Sequence, residues 1–141
     1  MEIKGTGLIT TRDYVRENHP NQYQSWLNSL PPQSKKLFEK AISASQWYPM
    51  YEGYVAPLNA TVQMFFQNKP EGADQVGRYS ADKALKGIYK TFLMIASPNF
   101  LMQRASRIFT TYYTPSEIEV GEKGKNHISL RINSFKDINK V

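Results

Sequence analysis

Between Ala81 and Tyr113 the apolar residues fall twice into helical spacing, and that pattern limits the folds open to the chain. Ala81, Ala84, Leu85, Ile88, Phe92 and Ile95 recur at the intervals that place side chains on one face of an α-helix. Ser97-Pro98 closes this stripe and opens another. Serine is a good N-cap, and proline in a first helical turn gives up an N–H that has no partner there. Leu101, Ala105, Ile108, Phe109 and Tyr112 carry the second stripe. Two amphipathic helices in tandem make a helical hairpin, which needs a shared core.

After Tyr113 the period changes from helical to alternating. Ile118 and Val120 alternate with Glu117 and Glu119, and Ile128, Leu130 and Ile132 alternate with His127, Ser129 and Arg131. The polar, glycine-bearing segment from Gly121 to Asn126 reads as the turn between two strands. A turn centred on Gly124 pairs Val120 with Ile128 and Ile118 with Leu130, so both apolar sets share one face. The tail from Ser134 is polar and is expected to fray. The fold class expected is α+β, a mostly helical bundle packed against a small antiparallel sheet that includes a C-terminal β-hairpin.

Upstream, Ile3 to Thr10 carries Gly5 and Gly7 and reads as a short irregular strand or extended entry. Thr10 or Thr11 then caps a brief helix with Asp13 in its first turn, and His19-Pro20 ends it. Tyr23, Trp26, Leu27 and Leu30 form one face of a second helix. Pro31-Pro32 opens a third, with Leu37, Phe38, Ala41, Ile42 and Ser45 on one side. Trp47 to Tyr51 reads as an aromatic turn, before a helix bearing Tyr54, Leu58, Val62, Phe65 and Phe66. Pro57 kinks that helix or lies in its first turn. Asn68 to Gly72 is a break, and the next helix starts near Ala73 or Ser80.

At 141 residues the chain is expected to form a single domain, 1–141, large enough for a real core. Without cysteine it forms neither disulfides nor thiolate zinc sites. The longest apolar run, Phe92 to Ala96, is too short to span a bilayer, and Met1 to Gly5 lacks the apolar run of a signal peptide. A cytoplasmic location is expected. The net charge of +6 raises the question of a polyanionic partner. Lys83, Lys86 and Lys90 share one helical face, and Arg104 and Arg107 do the same on the next helix. A solvated polar face explains all five, whereas a nucleic-acid-binding surface requires them to converge.

Residues suited to catalysis are scarce. His19 precedes a proline at a helix end, where an exposed C-terminal cap is the expected role. His127 falls on the polar side of the hairpin, and neither histidine has a partner at metal-ligand spacing. Glu117 and Glu119 share one side of a strand and are expected to be exposed, whereas a general acid needs burial. Gly121 to Gly124 joins two strands, whereas a phosphate-binding loop passes from strand to helix. The aromatics remain. Core packing is their ordinary role. Their functional alternative is an apolar pocket whose tyrosine hydroxyls orient a ligand.

The order of motifs resembles an uncharacterised bacterial family abundant as paralogues in myxobacteria. That family is similar to the haem-nitric-oxide-binding, vinyl-reductase-type and Golgi transport-particle ligand-binding domains. The residues that carry the resemblance are Lys4-Gly5, Trp47-Tyr48-Pro49, Gly77, Ala84-Leu85, Gly87, Tyr89, Phe92-Leu93, Ser97-Pro98 and Tyr112-Tyr113. It implies a helical bundle on a small antiparallel sheet, and a domain that binds small apolar ligands or partners and often dimerises. Haem-binding relatives use a proximal histidine and a Tyr-x-Ser-x-Arg clamp. Tyr79-Ser80-Ala81-Asp82-Lys83 departs from that clamp, so the resemblance does not extend to haem.

The expectation is a non-enzymatic sensing or regulatory domain without a cofactor. Trp47, Tyr48, Tyr89, Phe92 and Phe109 would wall a pocket for a small apolar ligand. A homodimer or protein-interaction module, sharing an open sheet edge, is the alternative. Nucleic-acid binding through the basic helical faces ranks third.

Overall fold

Strand β1 (Glu2–Lys4) lies at the centre of a three-stranded antiparallel sheet, between β2 (Trp47–Pro49) and β3 (Tyr113–Thr114). The computed structural model of the chain describes residues 1–86, 105–124 and 127–133. The centre of the opening stripe pair, with Ile88, Phe92, Ile95, Ser97-Pro98 and Leu101, lies outside the described residues, as do Tyr89, Lys90, Arg104 and the tail from Ser134. Ile3 is opposed by Tyr48 on one side and Tyr113 on the other, and is 1% exposed.

Helix α1 (Gly5–Asn18) begins where β1 ends, so the extended entry and the Thr10 or Thr11 cap are corrected. Thr10 and Thr11 lie inside the helix, their hydroxyls donating back to the Gly7 carbonyl. The early start comes from tertiary contact. Gly5 donates its N–H to Gln46 O at 2.9 Å, and a Cβ there would run into the Ser43 carbonyl. Packing of Leu8, Thr11 and Val15 into the core overrides the low helix propensity of two glycines. Asp13 therefore stands in mid-helix, paired with Arg12.

A 3-10 turn (Pro20–Gln22), helix α2 (Tyr23–Ser29) and helix α3 (Pro32–Phe38) follow. Trp26, fully buried, meets Phe38 edge-on and donates its indole N–H to Thr61 Oγ1 at 2.9 Å. Helix α3 stops at Phe38, so Ala41, Ile42 and Ser45 are not helical as the spacing suggests. Side chains hold that segment instead: Ser43 N–H donates to the Tyr48 hydroxyl, and Lys4 Nζ to Ser45 O. Trp47–Pro49, expected as a turn, is strand β2. Pro49 is tolerated because β2 is an edge strand.

Tyr51–Val55 forms a π-helical turn that runs into α4 (Ala56–Phe66), with the Ala56 N–H donating to the Tyr51 carbonyl. Pro57 has no N–H to give and its ring crowds the preceding turn, and the wider winding accommodates it. Gln67 and Asn68 adopt left-handed backbone and reverse the chain into α5 (Glu71–Lys86). That helix starts before either expected position. Its inward line runs through Gly72, Val76, Tyr79, Ser80 and Ala84, while Ala81, placed inside by the stripe, is exposed. Val76, fully buried, sets this phase.

Helix α6 (Ala105–Thr110) leads to β3, and β4 (Ile118–Lys123) pairs with β5 (Ile128–Ile132) as a separate two-stranded sheet. The hairpin forms with a different register. Ile118 faces Ile132 and Val120 faces Leu130, and an irregularity before Lys123↔Ile128 absorbs one residue. Relative to the expected pairing the strands slide by two residues, which preserves the shared apolar face because side chains alternate with period two. The result is an α+β fold, a helical bundle against two small antiparallel sheets.

Candidate functional site

Helices α1 and α5 pack together, and residues of both line a cavity of about 410 Å³. Each helix contributes residues at i, i+3 and i+4, the spacing of one face: Thr6, Ile9 and Thr10 from α1, and Ser80, Lys83 and Ala84 from α5. Tyr54 of the π turn, Ala44, and Tyr112-Tyr113 at the entry to β3 complete the described wall. Gly7, Ala44, Ser80 and Ala84 on this wall are all small.

Two polar atoms of this wall stand out. Thr6 Oγ1 and Ser80 Oγ are buried and have no hydrogen-bond partner among the described residues. An unsatisfied buried hydroxyl costs about 1–3 kcal/mol, so native structures rarely keep two on one cavity. The phenols nearby are held protonated. Burial raises the Tyr54 pKa, and burial together with the neighbouring Tyr54 pushes Tyr113 up to about 12. Both stay neutral, able to donate, throughout the physiological range.

At one edge, Lys83 Nζ donates to Glu17 Oε1 at 2.8 Å and lies 5.1 Å from the centre of the Tyr79 ring. The hydrogen bond to Glu17 raises the Lys83 pKa, and Lys83 in turn holds Glu17 below the usual carboxylate range. Lys83 is a permanent cation here. Chemically, the cavity is an apolar volume ringed by hydroxyl donors, with one ammonium at its edge.

The residues singled out from sequence are distributed differently. Trp47 lies on β2, 37% exposed, with the Lys4 ammonium 4.0 Å from its ring centre. Tyr48 lies beside it, its hydroxyl bound to the Ser43 N–H and to Gln46. Neither is on the described wall of the cavity. Phe109 is half-buried and packs on Tyr113, ring centres 4.5 Å apart, one residue removed from that wall. Tyr89 and Phe92 lie outside the described residues. Of the basic set, Lys83 pairs with Glu17, Lys86 pairs with Asp82 at 2.6 Å, and Arg107 borders a shallow depression with Glu117 and Glu119. Carboxylates accompany each, so these cations do not form a purely basic surface.

His19 is not an exposed cap. It caps α1 through its backbone N–H, while its ring is half-buried and stacked on Phe65 at 3.8 Å and 3°. Burial lowers its pKa. Among the described residues, no group of three His, Cys, Asp or Glu side chains converges as a metal site, and no helix is long and apolar enough to cross a membrane.

Thr6 and Ser80 carry no motif that marks them as cavity residues, whereas Tyr54 reads from the sequence as a helix-face aromatic and Tyr113 as part of the Tyr112-Tyr113 helix end. The signal for Thr6 and Ser80 is positional alone: each shares a helical face with the residues three and four places on, Ile9 and Thr10 in one case, Lys83 and Ala84 in the other. Comparison with known proteins adds no assignment: no family model, no curated protein and no solved structure matches the chain.

Proposed function

We propose that the chain is a non-enzymatic ligand-binding domain of a sensing or regulatory kind, which takes a small, largely apolar ligand between α1 and α5. The observation that carries this reading is a pair of buried hydroxyls on one cavity, Thr6 Oγ1 and Ser80 Oγ, neither with a partner among the described residues. A ligand that hydrogen-bonds to both offsets the desolvation cost that the fold bears. The volume, about 410 Å³, falls within the range of small-molecule sites.

Thermal unfolding with lipids, tetrapyrroles and small aromatic compounds tests the proposal, because a ligand selective for the folded state raises the midpoint. Ser80→Ala and Thr6→Val make the test specific. Without ligand each variant unfolds at the same or a higher temperature, having lost an unsatisfied hydroxyl. With ligand the stabilisation shrinks. A midpoint that no compound moves removes the proposal.

Association through a strand edge is a second reading. Among the described residues β4 and β5 pair only with each other, and Ile132 on β5 is 46% exposed. Unpaired edges invite strand addition. Sedimentation showing a monomer at high concentration eliminates the homodimer.

A further inference from the structure

The polar side chains on the described wall of the cavity are all able to donate, and this narrows the ligand. Ser80 and Thr6 offer hydroxyls without partners among the described residues, Tyr54 and Tyr113 offer neutral phenols, and Lys83 offers an ammonium. No carboxylate belongs to the described wall. A pure hydrocarbon leaves the orphaned hydroxyls unsatisfied, and a cation meets Lys83 unfavourably.

We infer that the ligand is a compact monocarboxylate, its oxygens shared between the Lys83 edge and Ser80, one turn back on the same face of α5, and its hydrocarbon body along Ile9 and Ala84. The inference rests on the ligand-binding reading above and adds the chemical class. Lys83 can serve although it pairs with Glu17. An ammonium has three donors, and an exposed ion pair is weak enough to be shared or exchanged. The Lys83 side chain is 46% exposed, so the carboxylate keeps part of its hydration while its body enters the apolar space. Full burial of that charge would carry a far larger desolvation penalty.

Matched probes decide the matter. Octanoate and octan-1-ol form an aliphatic pair, and 4-phenylbutanoate and 4-phenylbutan-1-ol an aromatic pair. Titration calorimetry at neutral pH measures each against the full chain and against Lys83→Met. This substitution keeps the aliphatic stem and leaves Glu17 in solvent, and circular dichroism verifies that the variant is folded. The expected result is that at least one acid binds about tenfold more tightly than its alcohol, and that Lys83→Met reduces the preference to about threefold or less. The pair that responds tells an aliphatic ligand from an aromatic one.

Alcohols that bind as well as their acids overturn the carboxylate and leave the ligand-binding reading intact. An acid preference that survives Lys83→Met overturns the seat at Lys83. If all four probes fail while another compound raises the unfolding midpoint, the chemical class is wrong; if nothing in either experiment binds, both readings fall.

Discussion

Gly5 and Gly77 both lie in helices, yet their substitutions should act in opposite directions. A Cβ at Gly5 meets the Ser43 backbone carbonyl and the Tyr48 ring, and a backbone atom cannot swing aside. A Cβ at Gly77 meets no described atom within 4 Å, so alanine there gains helix propensity at no steric cost. Gly5→Ala is expected to cost about 2 kcal/mol or more, and Gly77→Ala to add about 0.5–1 kcal/mol, by urea unfolding. Thr61 is a second decisive residue. It accepts the Trp26 indole N–H and donates to the Pro57 carbonyl at 2.8 Å. Thr61→Val keeps the shape and strands the indole N–H, at an expected cost of about 1–3 kcal/mol in the same assay. Trp26 was legible from the sequence as a core residue through its spacing with Leu27 and Leu30. Its hydrogen-bond partner lies 35 residues away, on another helix, and no local pattern connects the two.

Elements were legible where the apolar period was sustained and bounded by proline, as for α2 between Pro20 and Pro31. They were misplaced where tertiary contacts set the boundary. Helix α1 starts at Gly5 because β1 delivers it against the Ser43–Gln46 segment, and α3 ends early because Tyr48 and Lys4 tie that segment to the sheet. The hairpin was recognised by its alternation, which survives a slide of two residues, so its face was legible and its register was not. At the end of α1, His19 couples stability to acidity. Burial lowers its pKa, so the folded state binds this proton less readily than the unfolded chain. Its contribution is present above the unfolded value near 6.5 and lost as pH falls through the lower folded value. His19→Phe, which retains an aromatic ring for Phe65, should flatten that part of the loss when unfolding is followed from pH 7 to 4.

At the scale of the molecule, Tyr113 joins the sheet, α6 and the cavity, and its phenol contributes to the alkaline limit of stability. Its pKa rises from 10.0 to about 12, so the stabilisation is complete below pH 10 and is lost as pH climbs toward 12. The loss is on the order of 2 kcal/mol, and Tyr113→Phe should reduce it in unfolding curves taken between pH 9 and 12. The α+β class and several helices followed from the sequence alone, because apolar period and proline punctuation are local properties of the chain. The cavity did not. It exists because the fold brings Thr6 and Ser80, 74 positions apart by their numbering, onto the wall of one cavity. Whether a hydroxyl finds a partner depends on which surfaces the fold brings together, and only the tertiary structure decides that.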